Sequence, residues 1–244
     1  MKRNLNEAIG SHVDAEDGNI GKVTDFYFDD HKWTIRYLVV ETGGWLNRHK
    51  VLLSPSAFKK FDWESKKFIV NLTKEQVSNS PDIDTDKTIS RQYEIELHDY
   101  YSWPVYWGIG ALSYAPATFI RMDEAGEKVS SYKPKGDLSL RSIKEVTGYN
   151  MQANYEEIGH IESFLVDDET WIIDYILGNS QELMPGKKIL ISPDWVSEIS
   201  WINSEVYVDL TLEAIKYCPE FDYSKMVSPD YEAKLYDYYR SVQK

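Results

Sequence analysis

The chain has 244 residues, 42% of them hydrophobic and 27% charged, which is typical of a soluble folded protein and excludes a disordered chain. Its formal net charge is −13, and residues 138–244 carry 9 Lys and Arg against 19 Asp and Glu, so they lack the basic surface that nucleic-acid binding needs. The length favours two domains.

The first ten residues contain no apolar run of the kind found in a secretory signal. No stretch reaches the roughly 18 consecutive apolar residues of a membrane-spanning helix. The one cysteine, Cys218, cannot form an intramolecular disulfide, which fits a reducing compartment. We therefore expect a cytoplasmic protein without an integral membrane segment, for which peripheral membrane association stays open.

Short strands are predicted along the first hundred residues. In chain order they cover residues 20–29, 34–41, 50–53 and 68–72. Alternation of apolar and polar residues and turn residues such as Asp29-Asp30 are typical of a small barrel or sandwich. Ser54-Pro55 predicts a helical start, and Thr73 followed by Gln76 has capping-box spacing, which predicts one short helix.

A helix is predicted over residues 93–101, because Tyr93, Leu97 and Tyr101 recur at every fourth position and form one stripe. The second copy of the pattern lies at residues 231–239. We expect each stripe to pack on a barrel.

An aromatic run follows this helix and opens the segment 102–137, which ends in a polar stretch typical of a linker. Its candidate contact residues are Tyr101, Trp103, Tyr106 and Trp107. Trp and Tyr are the usual hot-spot residues of protein interfaces, so this run is a candidate anchor for a partner. The alternative is that it attaches the linker to its own domain.

The chain repeats itself at an offset of 138 residues. In this register, residues 20–39, 50–55, 68–84 and 90–101 lie over 158–177, 188–193, 206–222 and 228–239. Shared residues include Gly10/Gly148, Gly21/Gly159, Asp29/Asp167, Asp30/Asp168, Trp33/Trp171, Tyr37/Tyr175, Trp63/Trp201 and Tyr101/Tyr239. One register held throughout indicates an internal duplication. We predict two modules, 1–101 and 138–244, joined by 102–137.

These motifs resemble the PRC-barrel family, named for the cytoplasmic domain of the photosynthetic reaction-centre H subunit. The motifs are Gly10, Ile20-Gly21-Lys22-Val23, Asp29 with Trp33, Tyr37-Leu38-Val39-Val40, Leu53-Ser54-Pro55 and Val70 to Thr73. They return at Gly148, Ile158-Gly159, Asp167 with Trp171, Tyr175-Ile176, Ile191-Ser192-Pro193 and Val208 to Thr211. The resemblance implies a mainly β fold with short helices, made of two tandem PRC-type barrels.

The resemblance also implies a binding or assembly module that is not a catalyst. In the family, H subunits cap a membrane electron-transport complex, and ribosome-maturation relatives use the barrel to bind a ribosomal protein. This sequence has neither a membrane helix like that of the H subunit nor a recognisable RNA-processing domain. A peripheral electron-transport subunit and an RNA-associated maturation factor are therefore less favoured interpretations.

No catalytic, cofactor or metal site is expected from the sequence. None of the five histidines recurs at the equivalent position of the other copy, and no pair of them has metal-ligand spacing on a predicted helix. Asp82-Ile83-Asp84-Thr85-Asp86 starts like a calcium loop, but Lys87 and Tyr93 replace the glycine and the glutamate that the loop needs. Turn formation explains the recurring Asp-Asp pairs.

Two further features are candidate contact surfaces. An apolar pair, Trp45-Leu46, lies at a predicted hairpin tip and is matched by Leu183-Met184; such tips either contact a partner or fold back over the barrel end. Charge also diverges between the copies, since Arg36 is replaced by Asp174. One hypothesis is that complementary charged patches meet within one chain or between two chains. The alternative is sequence drift on a solvent-exposed face.

We therefore expect a non-enzymatic adaptor or assembly protein that binds another protein and is able to form a homo-oligomer. The competing hypothesis is an enzyme or small-ligand binder that uses a cleft between the barrels. A pocket lined by Tyr37, Tyr175 and the turn acids would favour that competing hypothesis.

Overall fold

The computed structural model of the chain describes residues 1–43, 49–83, 89–107, 140–154, 156–180, 187–222 and 226–242. It contains two seven-stranded sheets with short helices, which confirms the predicted mainly β fold of two barrel-like units. None of the helices in these ranges is long and apolar enough to cross a bilayer.

The two halves contain equivalent elements in the same order, except that a 3₁₀ turn over Leu5–Ala8 in the first half takes the place of a short helix over Ile143–Val146 in the second. The first half, residues 1–107, contains β1 (Lys2–Asn4), β2 (His12–Ala15), β3 (Gly18–Asp29), β4 (Thr34–Thr42), β5 (Lys50–Leu53), β6 (Phe58–Asp62), β7 (Lys67–Val70), α1 (Lys74–Ser78) and α2 (Arg91–Tyr101). The second half, residues 140–242, contains β8 (Leu140–Ser142), α3 (Ile143–Val146), β9 (Asn150–Ala153), β10 (Glu156–Asp167), β11 (Ile173–Asn179), β12 (Lys188–Ile191), β13 (Val196–Ser200), β14 (Glu205–Val208), α4 (Leu212–Tyr217) and α5 (Pro229–Val242). Short 3₁₀ turns cover Leu5–Ala8, Pro55–Ala57 and Pro193–Trp195.

The predicted strands and helices are present, with small differences at their ends. The strand predicted to reach residue 72 ends at Val70, and Thr73 forms the predicted capping box with Gln76. Helix α2 begins at Arg91, two residues before the predicted start, because the Ser90 side chain accepts a hydrogen bond from the backbone of the first turn. The short strands β1, β2 and β6, and their counterparts β8, β9 and β13, were not predicted.

Each sheet follows the same path. The order is β5-β4-β3-β2-β7-β6 in the first half and β12-β11-β10-β9-β14-β13 in the second. All neighbours are antiparallel except β2 with β7 and β9 with β14. The long strands β3 and β10 each pair with two strands of their own half. The C-terminal end of each also pairs with a strand from the other half of the chain.

A glycine lies where β3 closely approaches β4, and another lies where β10 closely approaches β11. A Cβ at Gly21 would lie 2.0 Å from the Glu41 carbonyl oxygen, and one at Gly159 would lie 2.1 Å from the Asn179 carbonyl oxygen. Any side chain at these two positions would force the strands apart, which explains why both copies have glycine there.

Tyrosines attach α2 and α5 to the barrels by equivalent bonds. The Tyr93 hydroxyl donates to the Pro81 carbonyl at 2.9 Å, and Tyr231 donates to the Pro219 carbonyl at 3.0 Å. Leu97, in the middle of the predicted stripe, is completely buried. The stripes therefore pack on the barrels as predicted.

Candidate functional site

The halves exchange their first strands. Strand β1 pairs antiparallel with the end of β10, with Lys2 opposite Asp167 and Asn4 opposite Leu165. Strand β8 pairs in the same way with the end of β3. Each barrel thus binds a strand that the other half supplies, which is β-augmentation within one chain.

An arginine in the middle of each exchanged strand reaches the turn acid of the other half. The Arg141 Nε lies 2.8 Å from Asp30 Oδ2, and its guanidinium lies 3.6 Å from the centre of the Trp201 ring. The equivalent contacts of Arg3, to Asp168 and the Trp63 ring, are longer at 3.4 and 5.4 Å. The second turn acid of each half thus accepts a charged hydrogen bond from the other half.

The first turn acid of each half holds the hairpin turn. Asp29 Oδ1 accepts hydrogen bonds from the backbone N–H groups of His31 and Lys32, at 3.0 and 3.1 Å. Asp167 Oδ1 accepts the equivalent bonds from Glu169 and Thr170. Both turns are therefore Asx turns, as turn chemistry predicts.

The turns aim two tryptophans at the junction. Trp33 and Trp171 both have positive φ, 49° and 60°, which is uncommon for a bulky residue. Trp171 lies in an aromatic cage of the first half, 5.4 Å from the Phe58 ring and 5.7 Å from the Phe68 ring. Burial of this ring in the other barrel offsets the backbone strain of the turn. Trp33 stacks on Phe28 at 5.4 Å.

A buried polar cluster lies under α2 in the first half. The Tyr37 hydroxyl donates to Glu94 Oε1 at 3.1 Å and lies 2.8 Å from His98 Nε2. The hydroxyl has one proton, so a neutral His98 donates its Nε2–H to the Tyr37 oxygen. All three side chains are buried. The cluster joins α2 to β4.

The aromatic run covers this cluster. The Tyr106 hydroxyl donates to Glu94, and its ring lies 4.0 Å below the Arg36 guanidinium. Arg91 forms an ion pair with Glu94 and lies 4.5 Å from the centre of the Trp107 ring. Two guanidinium groups and two aromatic rings therefore hold the run against α2 and β4 by cation–π contacts.

Burial controls the ionisation of the cluster. It lowers the pKa of His98 to about 4 and raises the pKa of Glu94, although Tyr106 and Arg91 act to lower the latter. Burial, followed by the charge of Glu94, raises the pKa of Tyr37 well above its ordinary value. The imidazole is therefore neutral at pH 7, and the phenol keeps its proton.

The second half has a simpler arrangement at the equivalent place. The Tyr175 hydroxyl donates to Glu232 at 3.1 Å, as Tyr37 does to Glu94. Lys2, from the exchanged strand, forms an ion pair with Asp174 at 2.7 Å. Trp195 lies 4.2 Å from the Tyr239 ring. Here the exchanged strand, rather than an aromatic run, supplies the contact above the tyrosine–glutamate pair.

Residues 5–77 match the family model described as PRC-barrel domain. They form a PRC-barrel domain. No curated protein matches the chain. The family indicates, at a coarse level, a role in protein interaction or assembly. Strand β1 precedes the matched residues, so its pairing with β10 lies outside the PRC barrel of the first half.

The residues predicted as contact candidates lie in three places. Trp45-Leu46 and Leu183-Met184 lie outside the described residues. The run from Tyr101 to Trp107 is partly buried against the PRC barrel, and Trp103 stacks on Tyr101 at 4.2 Å. Its exposed parts include Val105, which is 50% exposed.

Arg36 and Asp174 do not pair with each other. Arg36 pairs within the PRC barrel with Asp29 at 3.1 Å, and Asp174 pairs with Lys2. The opposite charges at this position thus match different local partners. Arg36 contacts an aromatic ring and Asp29 in the first half, and Asp174 contacts a lysine in the second.

Sequence reasoning missed Arg3 and Arg141. Both lie in the predicted register, 138 residues apart, ahead of the motifs that define the barrel. Their identity in the two copies was the available signal. It was missed because a three-residue strand has no visible periodicity.

A groove follows the exchanged strand β8. It has a volume of about 300 Å³ and is lined by Thr24, Asp25, Tyr27, Val39, Lys50, Ser142, Lys144 and Glu145. Asp25 accepts a hydrogen bond from Ser142 at 2.5 Å. Among the described residues, no group of three His, Cys, Asp or Glu side chains is placed to hold a metal ion.

Proposed function

We propose that the chain is a non-enzymatic adaptor or assembly protein, made of two PRC-type barrels, that binds another protein. The observation that carries the proposal is the binding of a foreign strand by each half, through backbone pairing and an arginine clamp. A fold that recognises another polypeptide in this way within its own chain is suited to recognising one outside it.

The placement of the reactive groups supports a non-catalytic role. The turn acids hold hairpin turns or bind the arginines of the other half. The tyrosine–glutamate pairs attach the terminal helices, and both tyrosines are buried rather than placed around an open cleft. These groups already have structural partners.

The hairpin tips and the aromatic run are the contact surfaces we propose. Trp45-Leu46 and Leu183-Met184 are the apolar pairs that the sequence predicts at the tips. Val105 within the run and Tyr100 just before it supply exposed apolar surface, at 50% and 39% exposure. Apolar and aromatic groups of this kind form the centre of protein interfaces.

The test is affinity purification of the full chain from its native cells, followed by mass spectrometry. We expect one stoichiometric protein to be recovered, and the paired change Trp45→Ser and Leu46→Ser to remove it while the melting temperature falls by only a few degrees. Leu183→Ser with Met184→Ser is the matched variant of the other tip. Ile202→Ser, at a residue that is 97% exposed in the β13–β14 turn, is the surface control.

The result also distinguishes a contact surface from a core. A large loss of stability in the tip variant would place Trp45 and Leu46 in the fold, not in an interface. Recovery of the same partner by the tip variants and by variants of the aromatic run would overturn the proposed surfaces.

A small-ligand binder or enzyme is the second candidate, favoured by the groove beside β8. Two lysines and two carboxylates line it, so a zwitterionic metabolite is the class it fits. Turnover of a metabolite library by the pure chain would overturn the non-enzymatic proposal. We place the protein in the cytoplasm, with peripheral association as its only proposed contact with a membrane.

A further inference from the structure

The junction between the halves has an approximate two-fold axis. Thr34 and Ile172, which are equivalent in the 138-residue register, face each other in an antiparallel bridge. The Ile35 N–H donates to the Trp171 carbonyl at 2.9 Å, and the Ile173 N–H donates to the Trp33 carbonyl at 2.7 Å. Each half therefore offers the other the same backbone groups.

The side-chain contacts follow the same symmetry. Arg141 binds Asp30, and Arg3 binds Asp168. The exchanged strands occupy equivalent ends of β3 and β10. An interface in which each side presents the same groups is isologous, the type found in two-fold homodimers.

We infer that this junction also docks a second copy of the chain, in a dimer in which the first half of each chain pairs with the second half of the other. The inference rests on the proposed assembly role and names one partner for it. In the dimer, the second copy supplies β8, Arg141 and Trp171 to the first chain, and receives β1, Arg3 and Trp33 in return. Every contact of the junction described above is kept, and each half finds its partner half in the other chain.

Concentration decides between the two forms. Because the contacts are the same, the balance depends on the effective concentration of one half near the other, which for linked domains is on the order of millimolar. Exchange therefore favours the closed single chain when dilute and the dimer as the total concentration approaches that range.

The axis provides the test. Thr34 and Ile172 form a non-hydrogen-bonded pair, since the bonds of their neighbours bracket them, and the Cα atoms of such pairs are about 4.5 Å apart. This spacing allows a disulfide. Cys218→Ser serves as the background, because the first half has Ser80 at the equivalent position.

One full chain carries Thr34→Cys and a second, differently tagged chain carries Ile172→Cys. The two are unfolded, mixed, refolded together at about 20 and about 200 µM and oxidised with oxidised glutathione. We expect disulfides between the two differently tagged chains to exceed those between identical chains. While dimer is scarce, the ratio of linked chain to monomer should be about tenfold larger at the higher concentration. Light scattering of the disulfide-linked fraction, once separated from monomer, should give the mass of two chains and not that of a larger oligomer.

Two controls keep the result interpretable. The double variant Thr34→Cys with Ile172→Cys, refolded when dilute, should form the bond within one chain, which shows that the geometry permits it. Ile202→Cys, at a residue that is 97% exposed, gives the rate of collisional linking.

Formation of the intrachain bond without any linked pair above the Ile202→Cys level would overturn the exchange. It would leave the adaptor proposal intact if the partner is still recovered from cells. Loss of that partner together with a positive cross-linking result would instead overturn the adaptor proposal and retain the exchange.

Discussion

The Arg141 guanidinium lies between two halves of the molecule: it contacts Asp30 of the first half and the face of Trp201 of the second. Its equivalent Arg3 makes both contacts at longer distance. The junction is therefore symmetric in its residues and unequal in the closeness of its contacts.

Arg141→Ala should destabilise the protein by about 2–3 kcal/mol, because it leaves the nearly buried Asp30 carboxylate without its cation and exposes the Trp201 face. Arg3→Ala, with its longer contacts, should cost about 1 kcal/mol or less. Urea unfolding of the two variants measures the difference. Equal costs would contradict the inequality of the two contacts, and a cycle with Asp30→Asn would give the coupling energy directly.

Tyr37→Phe should cost more than Tyr175→Phe. Removal of the Tyr37 hydroxyl leaves both Glu94 and His98 short of a hydrogen bond in a buried site, at a cost of about 2 kcal/mol. Among the described residues, Tyr175 hydrogen-bonds only Glu232, which is partly exposed, so water replaces the hydroxyl and the cost is about 0.5–1 kcal/mol. The matched pair controls for the loss of the same atom, and chemical unfolding of each variant provides the comparison. The reverse order would refute the assignment of the cluster.

The sequence predicted the fold from patterns that each barrel contains in full. Alternation, Asx turns, the capping box at Thr73 and the helix stripe at Leu97 are local, and each is present in the structure. The exchange of β1 and β8 was not predictable in the same way, because pairing partners far apart in the chain are set by tertiary packing.

The site was predicted only in part, and the reason is the same. The aromatic run was recognised from composition, but its attachment through Glu94 and Arg91 depends on how α2 lies on β4. Glu94 and Glu232 share the 138-residue register, and this identity was the one sequence signal for the tyrosine–glutamate pairs.

His98 should make the protein less stable in acid. Its pKa is lowered by burial to about 4 in the fold, against about 6.5 when unfolded, so the unfolded chain binds the proton more tightly. The stability that depends on neutral His98 is complete above about pH 6.5 and is lost as the pH falls towards about 4, by roughly 3 kcal/mol. The raised pKa of Glu94 acts in the opposite direction in acid.

The pH effect is measured as the difference between the wild-type chain and His98→Gln, which keeps hydrogen-bonding groups but does not titrate in this range. Unfolding free energies of both are determined in urea from about pH 7 to about pH 4. Parallel curves would show that His98 does not contribute to the acid sensitivity.

The ring of Trp103 in the first half and that of Trp195 in the second contact tyrosines at equivalent positions, Tyr101 and Tyr239, each at 4.2 Å. Residue 57, equivalent to Trp195, is alanine, and residue 241, equivalent to Trp103, is serine. Each half thus places a tryptophan ring against this tyrosine from a different place in the chain, stacked at 12° in the first half and tilted at 52° in the second. Trp103→Ala should cost about 2–3 kcal/mol, since it removes the half-buried Trp103 ring and deprives Tyr101 of its stacking partner.

Ala57→Trp should recover part of that loss in the Trp103→Ala background, and should destabilise the wild-type chain, where the space is filled. Thermal and urea unfolding of the two single variants and the double variant form a complete cycle. A coupling energy of about 1 kcal/mol or more in favour of the double variant supports a shared ring position. Additive effects would mean that the two rings use different faces of the tyrosine, and that the aromatic run and the second half stabilise their helices by unrelated contacts.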